Sequence, residues 1–184
     1  MKQTKRCKTR DVAFTFRMGA GFAGEVNRTH PVDILAELID AAAPPTAYGQ
    51  AVLVAAANAG VRPFTTGDAS QAGYGVTVRP FPTQQASSAT LGAPATIGAA
   101  TPPTTGIIDV MRRGYIMVSL PSIGTQAAPV KGSAVYVRVA AVATTHTPGD
   151  FESAADGGNN VLLTNATFNG APDANGVVEI AFNI

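Results

Sequence analysis

Apolar runs in this chain are short, most of them alternate with polar residues, and glycine or proline closes nearly every one. That pattern constrains the fold more than any single motif, because strands need period-two alternation and turn residues, whereas long helices need neither. Val12–Phe16, Gly49–Ala57, Gly73–Arg79 and Asn160–Thr164 read as strands. Ile107–Met111 and Gly114–Leu120 read as a pair flanking a hairpin-like Arg112-Arg113-Gly114 turn. Ser133–Ala143 reads as the longest strand, with Val135, Val137 and Val139 inward and Tyr136 and Arg138 outward. Gly176–Ile184 closes the set, with Val178, Ile180 and Phe182 on one face. Asp156-Gly-Gly-Asn-Asn160 and Asp173-Ala-Asn-Gly176 supply turns ahead of the last two strands.

One segment departs from this pattern. Between Pro31 and Asp40 the apolar residues Val32, Leu35, Leu38 and Ile39 fall at helical spacing. Pro31 suits a first helical turn and Asp33 complements the dipole there, so a short helix is expected, ended by Ala41–Pro45. The fold class that follows is all-β, a jelly-roll-like sandwich or barrel with one short helix and extended arms.

The segment Tyr74-Gly-Val-Thr-Val-Arg-Pro-Phe-Pro-Thr-Gln-Gln85 begins as a strand, with Val76 and Val78 on one face and Thr77 and Arg79 on the other. Pro80 and Pro82 then stop it. Proline donates no backbone hydrogen bond, so the chain must leave the sheet or follow its edge. Residues 86–106 are Ala, Ser, Thr, Gly and Pro with almost no charge, and read as a long extended loop. Earlier, Gly19, Gly21 and Gly24 permit positive φ or close backbone contact.

Charged residues are only 14% of the 184 and hydrophobic residues 46%, mostly Ala and Val, with no Trp. A surface so poor in charge suggests that partners cover much of it. Lys2, Lys5, Arg6, Lys8 and Arg10 place five of the 13 basic residues in the first ten positions. Residues 1–11 are therefore expected to be a mobile basic tail, ahead of a single β-rich domain over 12–184. Beyond position 10 the chain carries 8 basic against 12 acidic side chains. That excess of acid disfavours nucleic acid as the main ligand. No apolar run approaches a membrane span, and a lone cysteine, Cys7, excludes an intrachain disulfide and fits a cytosolic origin.

No catalytic motif is present: G-x-S-x-G, a P-loop and H-E-x-x-H are all missing. His30 and His146 have no nucleophile near them in sequence, and His30 reads as a side chain at the helix entrance. The acids of Asp150-Phe-Glu-Ser-Ala-Ala-Asp156 lack the alternating spacing of a calcium loop and read as a solvated loop. No catalytic residue, cofactor site or metal site is expected.

Val26-Asn-Arg-Thr-His-Pro31, Thr46-Ala-Tyr-Gly49, Val76–Gln85, Gly106–Val110, Gly114–Val118, Gly132–Val137 and Phe182-Asn-Ile184 recur in one order. In these the chain resembles the structural cement, or capsid decoration, proteins of tailed bacteriophages, from about residue 13 to the end. The basic segment 1–11 departs from that family. The resemblance implies a non-enzymatic virion protein, made in the host bacterial cytoplasm, that sits as an oligomer on the outer capsid surface. It further implies that the protein clamps neighbouring major capsid subunits, with a homodimer favoured over a trimer and no membrane or direct nucleic-acid partner. The expected contact residues are Arg79, Phe81, Thr83, Gln84 and Gln85, because prolines hold that arm extended before binding and lower the entropy lost on contact. The alternative from a different class is a receptor- or glycan-binding β-domain of the virion surface, which the absence of Trp weakens.

Overall fold

A computed structural model describes residues 21–57, 59–68, 72–80, 101–121, 126–141 and 146–184. In chain order the strands are β1 (Asp33–Leu38), β2 (Ala51–Val54), β3 (Val61–Pro63), β4 (Gly75–Thr77) and β5 (Ile107–Ser119). They continue with β6 (Ala134–Arg138), β7 (Phe151–Glu152), β8 (Asn160–Phe168) and β9 (Val177–Phe182). Among the described residues the only helical element is a 3-10 turn at Thr66–Asp68. The all-β class expected from the sequence is what forms. The strand suggested at Val12–Phe16 lies outside the described residues.

All the strands belong to one antiparallel sheet in the order β3-β2-β4-β5-β9-β8-β6-β7, with β1 added on β5. The sheet curls into a half-barrel because β5, 13 residues long, serves both sides. Its first half, up to Arg113, pairs β1 and β4; its second half, from Gly114, pairs β9. The Arg112-Arg113-Gly114 sequence is therefore a bend within one strand, not the hairpin turn its residues suggested. Gly114 has φ 144°, and a β-carbon there would lie 3.0 Å from the Pro31 carbonyl oxygen and 2.9 Å from the Met111 sulfur. Only glycine lets the strand turn while β1's entry passes this close.

The expected helix over 31–40 is a strand. Leu35 lies opposite Val110 and Glu37 opposite Ile108, in an antiparallel ladder with β5. A helical reading arose because β1 carries apolar side chains on both faces, which erases the period-two signal. Ser133–Ala143 is also shorter in the sheet than its alternation predicts, since β6 ends at Arg138 and β5 is the longest strand.

The curl encloses one main core. Phe64, Phe151, Phe168 and Phe182 fill it together with Met111, Ile116, Ile180 and the valines of β6, all nearly inaccessible. Fully burying a large apolar side chain stabilises by roughly 1.5–3 kcal/mol relative to leaving it exposed, so this set dominates folding. Val178, Ile180 and Phe182 share the inward face as their alternation required. A second, smaller cluster of Ile39, Val52, Val61, Ile108 and Val110 covers the outer face beside β1, flanked by Tyr48 and Tyr74.

Arg138 was expected to point outward, yet it is 2% exposed. Its guanidinium meets Glu152 of β7 at 3.5 Å and Asp156 at 2.5 Å. Glu152, in a stretch read as a solvated loop, is fully buried, with His146 Nδ1 3.1 Å from its Oε1 and the Asn160 amide donating to its Oε2. Charges that sequence reading places in water are here paired in the interior, the one condition under which burial of charge is tolerated.

Candidate functional site

Three segments meet at the end of β4, just ahead of the Pro80–Gln85 stretch. Thr77 is buried, and its hydroxyl accepts the Gln50 N–H at 3.0 Å. The Gln50 side chain in turn accepts the N–H groups of Thr46 and Ala47, which fixes the 46–49 loop against β4. Beyond Thr77, the Val78 N–H donates to the Asp109 carbonyl and the Arg79 N–H to the Gly24 carbonyl.

Gly24 joins the two sides of the curl. Its N–H donates to Met117 in the second half of β5 at 2.7 Å while its carbonyl accepts from Arg79 at 2.8 Å. Its φ is 85°, and an added β-carbon would sit 2.8 Å from Tyr48 and 3.0 Å from the Arg79 nitrogen. The close contact expected of the glycine run is found here, with residues 21–25 forming a strap beside β4.

On that strap Phe22 is about half exposed, and the Arg79 guanidinium lies over its ring at 4.8 Å. A cation over an aromatic face holds the side chain in place by about 0.5–1 kcal/mol at an exposed site. Next to it is a shallow groove of about 190 Å³ lined by Tyr48, Val78, Pro80, Pro103, Ile107, Ile108 and Asp109. Burial raises the Tyr48 phenol above its ordinary value; the Arg79 charge opposes this and the Asp109 charge adds to it. The groove is thus apolar, with a cation at one side and a carboxylate at the other. It falls below the roughly 300–1,000 Å³ of small-molecule pockets, and its form suits an inserted side chain better than a substrate.

Of the five contact residues expected from sequence, Arg79 is at this junction. Phe81, Thr83, Gln84 and Gln85 lie outside the described residues, as does most of the loop 86–106, of which 101–106 is described. Phe22, Tyr48, Ile107 and Asp109 were not anticipated, because nothing local in sequence ties a strap at 21–25 and a strand start at 107 to one spot. The glycine spacing around Phe22 was the single available signal.

Chemistry elsewhere is sparse. His30 is exposed ahead of β1, and no helix begins there. His146 is engaged with buried Glu152. Among the described residues, no group of three or more His, Cys, Asp or Glu is arranged to hold a metal ion, and no helix is long and apolar enough to cross a membrane.

The chain has recognisable relatives. A family model described as "Structural cement protein (E217 gp24/Pam3 gp6)" matches residues 11–183. No curated protein matches. A solved chain from "The capsid of Myoviridae Phage XM1" has the same fold, with TM-score 0.65 and 18% identity over 93% of this chain and 95% of that one.

Proposed function

The chain belongs to the phage structural cement protein family, and from that membership we propose that it binds the outer surface of an assembled capsid and clamps neighbouring major capsid subunits. A structural role associated with the capsid follows from the family; the outer surface, the clamp and the residues that make it are proposed. The observation that carries the proposal is the match of nearly the whole chain to that family. The surroundings of Arg79 add support: a cation over an exposed aromatic ring and, beside them, an apolar groove that Pro80 helps to line.

The mechanism is mass action. A protein that binds the assembled shell and not its free subunits stabilises the shell, by an amount that grows with the logarithm of its free concentration over Kd. Each contact need only be modest, since linked sites on one lattice multiply the effective affinity. Arg79, with Phe81, Thr83, Gln84 and Gln85 beyond it, supplies the contact. Phe81 enters an apolar pocket of the shell protein while Arg79 pairs with a carboxylate or carbonyl. The protein works without catalysis, cofactor, nucleic acid or membrane, and it self-associates, as a dimer in preference to a trimer.

The test is the double substitution Arg79→Ala with Phe81→Ala, followed by thermal unfolding and by co-sedimentation with undecorated capsids. Retained folding with capsid binding lost is the expected result. Unchanged binding removes the arm from the interface, and lost folding assigns Phe81 to the core.

A further inference from the structure

One face of the β1–β5 ladder is bare. Residues paired in an antiparallel ladder share a face, so Ile34 goes with Met111, Ala36 with Asp109 and Leu38 with Ile107. Met111 belongs to the main core, as do Val76 and Val78 beside it. The core-facing side of the sheet therefore continues beyond the core as a shelf of Ile34, Ala36, Leu38 and Ile107. Leu38 is 59% exposed there and Ile107 62%. The other face of the same strands is covered, since Ile108 and Val110 pack with Ile39, Val52 and Val61, and Glu37 accepts the Tyr74 hydroxyl.

Single exposed apolar residues are ordinary, but Leu38 and Ile107 stand directly opposite each other with Ala36 and Ile34 alongside. A contiguous patch of that kind marks an interaction site. Asp109 is the one charged residue on the shelf. It is exposed, and among the described residues it takes part in none of the ion pairs. Ile107 and Asp109 also line the groove beside Arg79, so shelf and groove are continuous.

We infer that this shelf docks a segment of the shell protein that carries apolar side chains next to a lysine or arginine. The apolar groups cover Leu38 and Ile107, and the cation pairs with Asp109. This inference rests on the shell binding proposed above and adds to it a contact separate from the one at Arg79. A second copy of this chain fits the shelf less well. Two-fold pairing of identical shelves brings both Asp109 carboxylates onto one small patch that holds no cation, and juxtaposed like charges oppose binding. Five side chains also fall short of the roughly 20–30 residues per side of a standard interface, so the shelf alone holds no stable dimer. As one of several linked contacts on a lattice it suffices.

Co-sedimentation with undecorated capsids over a range of salt tests this, using Leu38→Ser with Ile107→Ser and, separately, Asp109→Lys. All three side chains are exposed, so thermal unfolding should shift little. The serine pair is expected to weaken shell binding by on the order of tenfold or more. Asp109→Lys is expected to weaken it at low salt and to recover part of the loss as salt screens the repulsion. Val130→Ser, at a side chain 65% exposed outside the shelf, should bind like wild type.

A wild-type protein that does not bind shells defeats the shell reading and this inference with it. Wild-type binding that the shelf variants leave unchanged overturns the shelf alone, whatever Arg79→Ala with Phe81→Ala does. An Asp109→Lys variant that binds like wild type at every salt contradicts the stated partner. Shelf variants that turn a dimer into monomer in sedimentation assign the shelf to a second copy, which also overturns the inference. Should the serine variant fail to fold, Asp109→Lys decides.

Discussion

Arg138→Met is expected to be the most damaging single substitution of a charged residue in the described structure. Arg138 and Glu152 are 2% and 0% exposed, and Glu152 keeps only His146, the Asn160 amide and a 3.5 Å contact from Gln126 when the arginine is gone. Breaking a buried pair from one side leaves an uncompensated charge in the interior, at a cost of about 3–5 kcal/mol. Glu152→Gln should cost less, about 1–3 kcal/mol, because Arg138 retains Asp156 and the new amide oxygen still accepts from Asn160. The double variant removes both charges, so its loss should fall well short of the two single losses added together. Urea denaturation followed by tyrosine fluorescence or circular dichroism reads this directly. With a slope of about 2 kcal/mol per molar, the Arg138→Met midpoint should drop by roughly 2 M with the slope unchanged. A drop worth less than about 1 kcal/mol, or single losses that simply add, refutes the claim that the pair is held together in the interior.

Three further outcomes are expected, two from the structure and one from the sequence. Gly114→Ala should lose about 1–3 kcal/mol in thermal unfolding, since a side chain at that φ is strained and meets the Pro31 carbonyl; an unchanged Tm would mean that the bend in β5 does not require glycine. Asp68 accepts two hydrogen bonds from Arg62 and others from Thr65, which hold its carboxyl well below the ordinary 3.8. Because the folded value is depressed, the stability it adds is complete above about pH 5 and is lost as pH falls below 3.8; Asp68→Asn should therefore flatten the acid limb of a stability–pH curve, and an unaltered limb contradicts this. Deleting residues 2–11 should leave Tm within a few degrees, as their charge run and lack of apolar periodicity predict, and a large fall would place the tail in the packed domain.

The class of fold was legible because glycine and proline punctuate nearly every apolar run, and the alternation of Val178, Ile180 and Phe182 gave their shared burial correctly. What failed was each feature that depends on a distant partner. The apolar residues of β1 looked helical because an edge strand with two apolar faces has no alternation to detect. Gly114 looked like a turn because a bend inside a strand and a hairpin use the same residue. Arg138 looked solvated because Glu152, which neutralises it, is fourteen positions away and becomes a neighbour only when β6 pairs β7. Pro80 and Pro82 marked that the strand ahead of them must stop, as β4 does at Thr77, but not what meets it there. Phe22 and Ile107 reach Arg79 and Pro80 through the strap and the curl, neither of which leaves a local signature.

The central claim is that this protein clamps an assembled shell from outside, and cryo-electron microscopy of undecorated capsids incubated with it tests that claim most directly. Added density with this half-barrel fold is expected on the outer surface, bridging adjacent major capsid subunits, with the segment from Arg79 through Gln85 at the contact. Density confined to a single subunit or to the inner surface, or shells that remain bare at saturating protein, would contradict it.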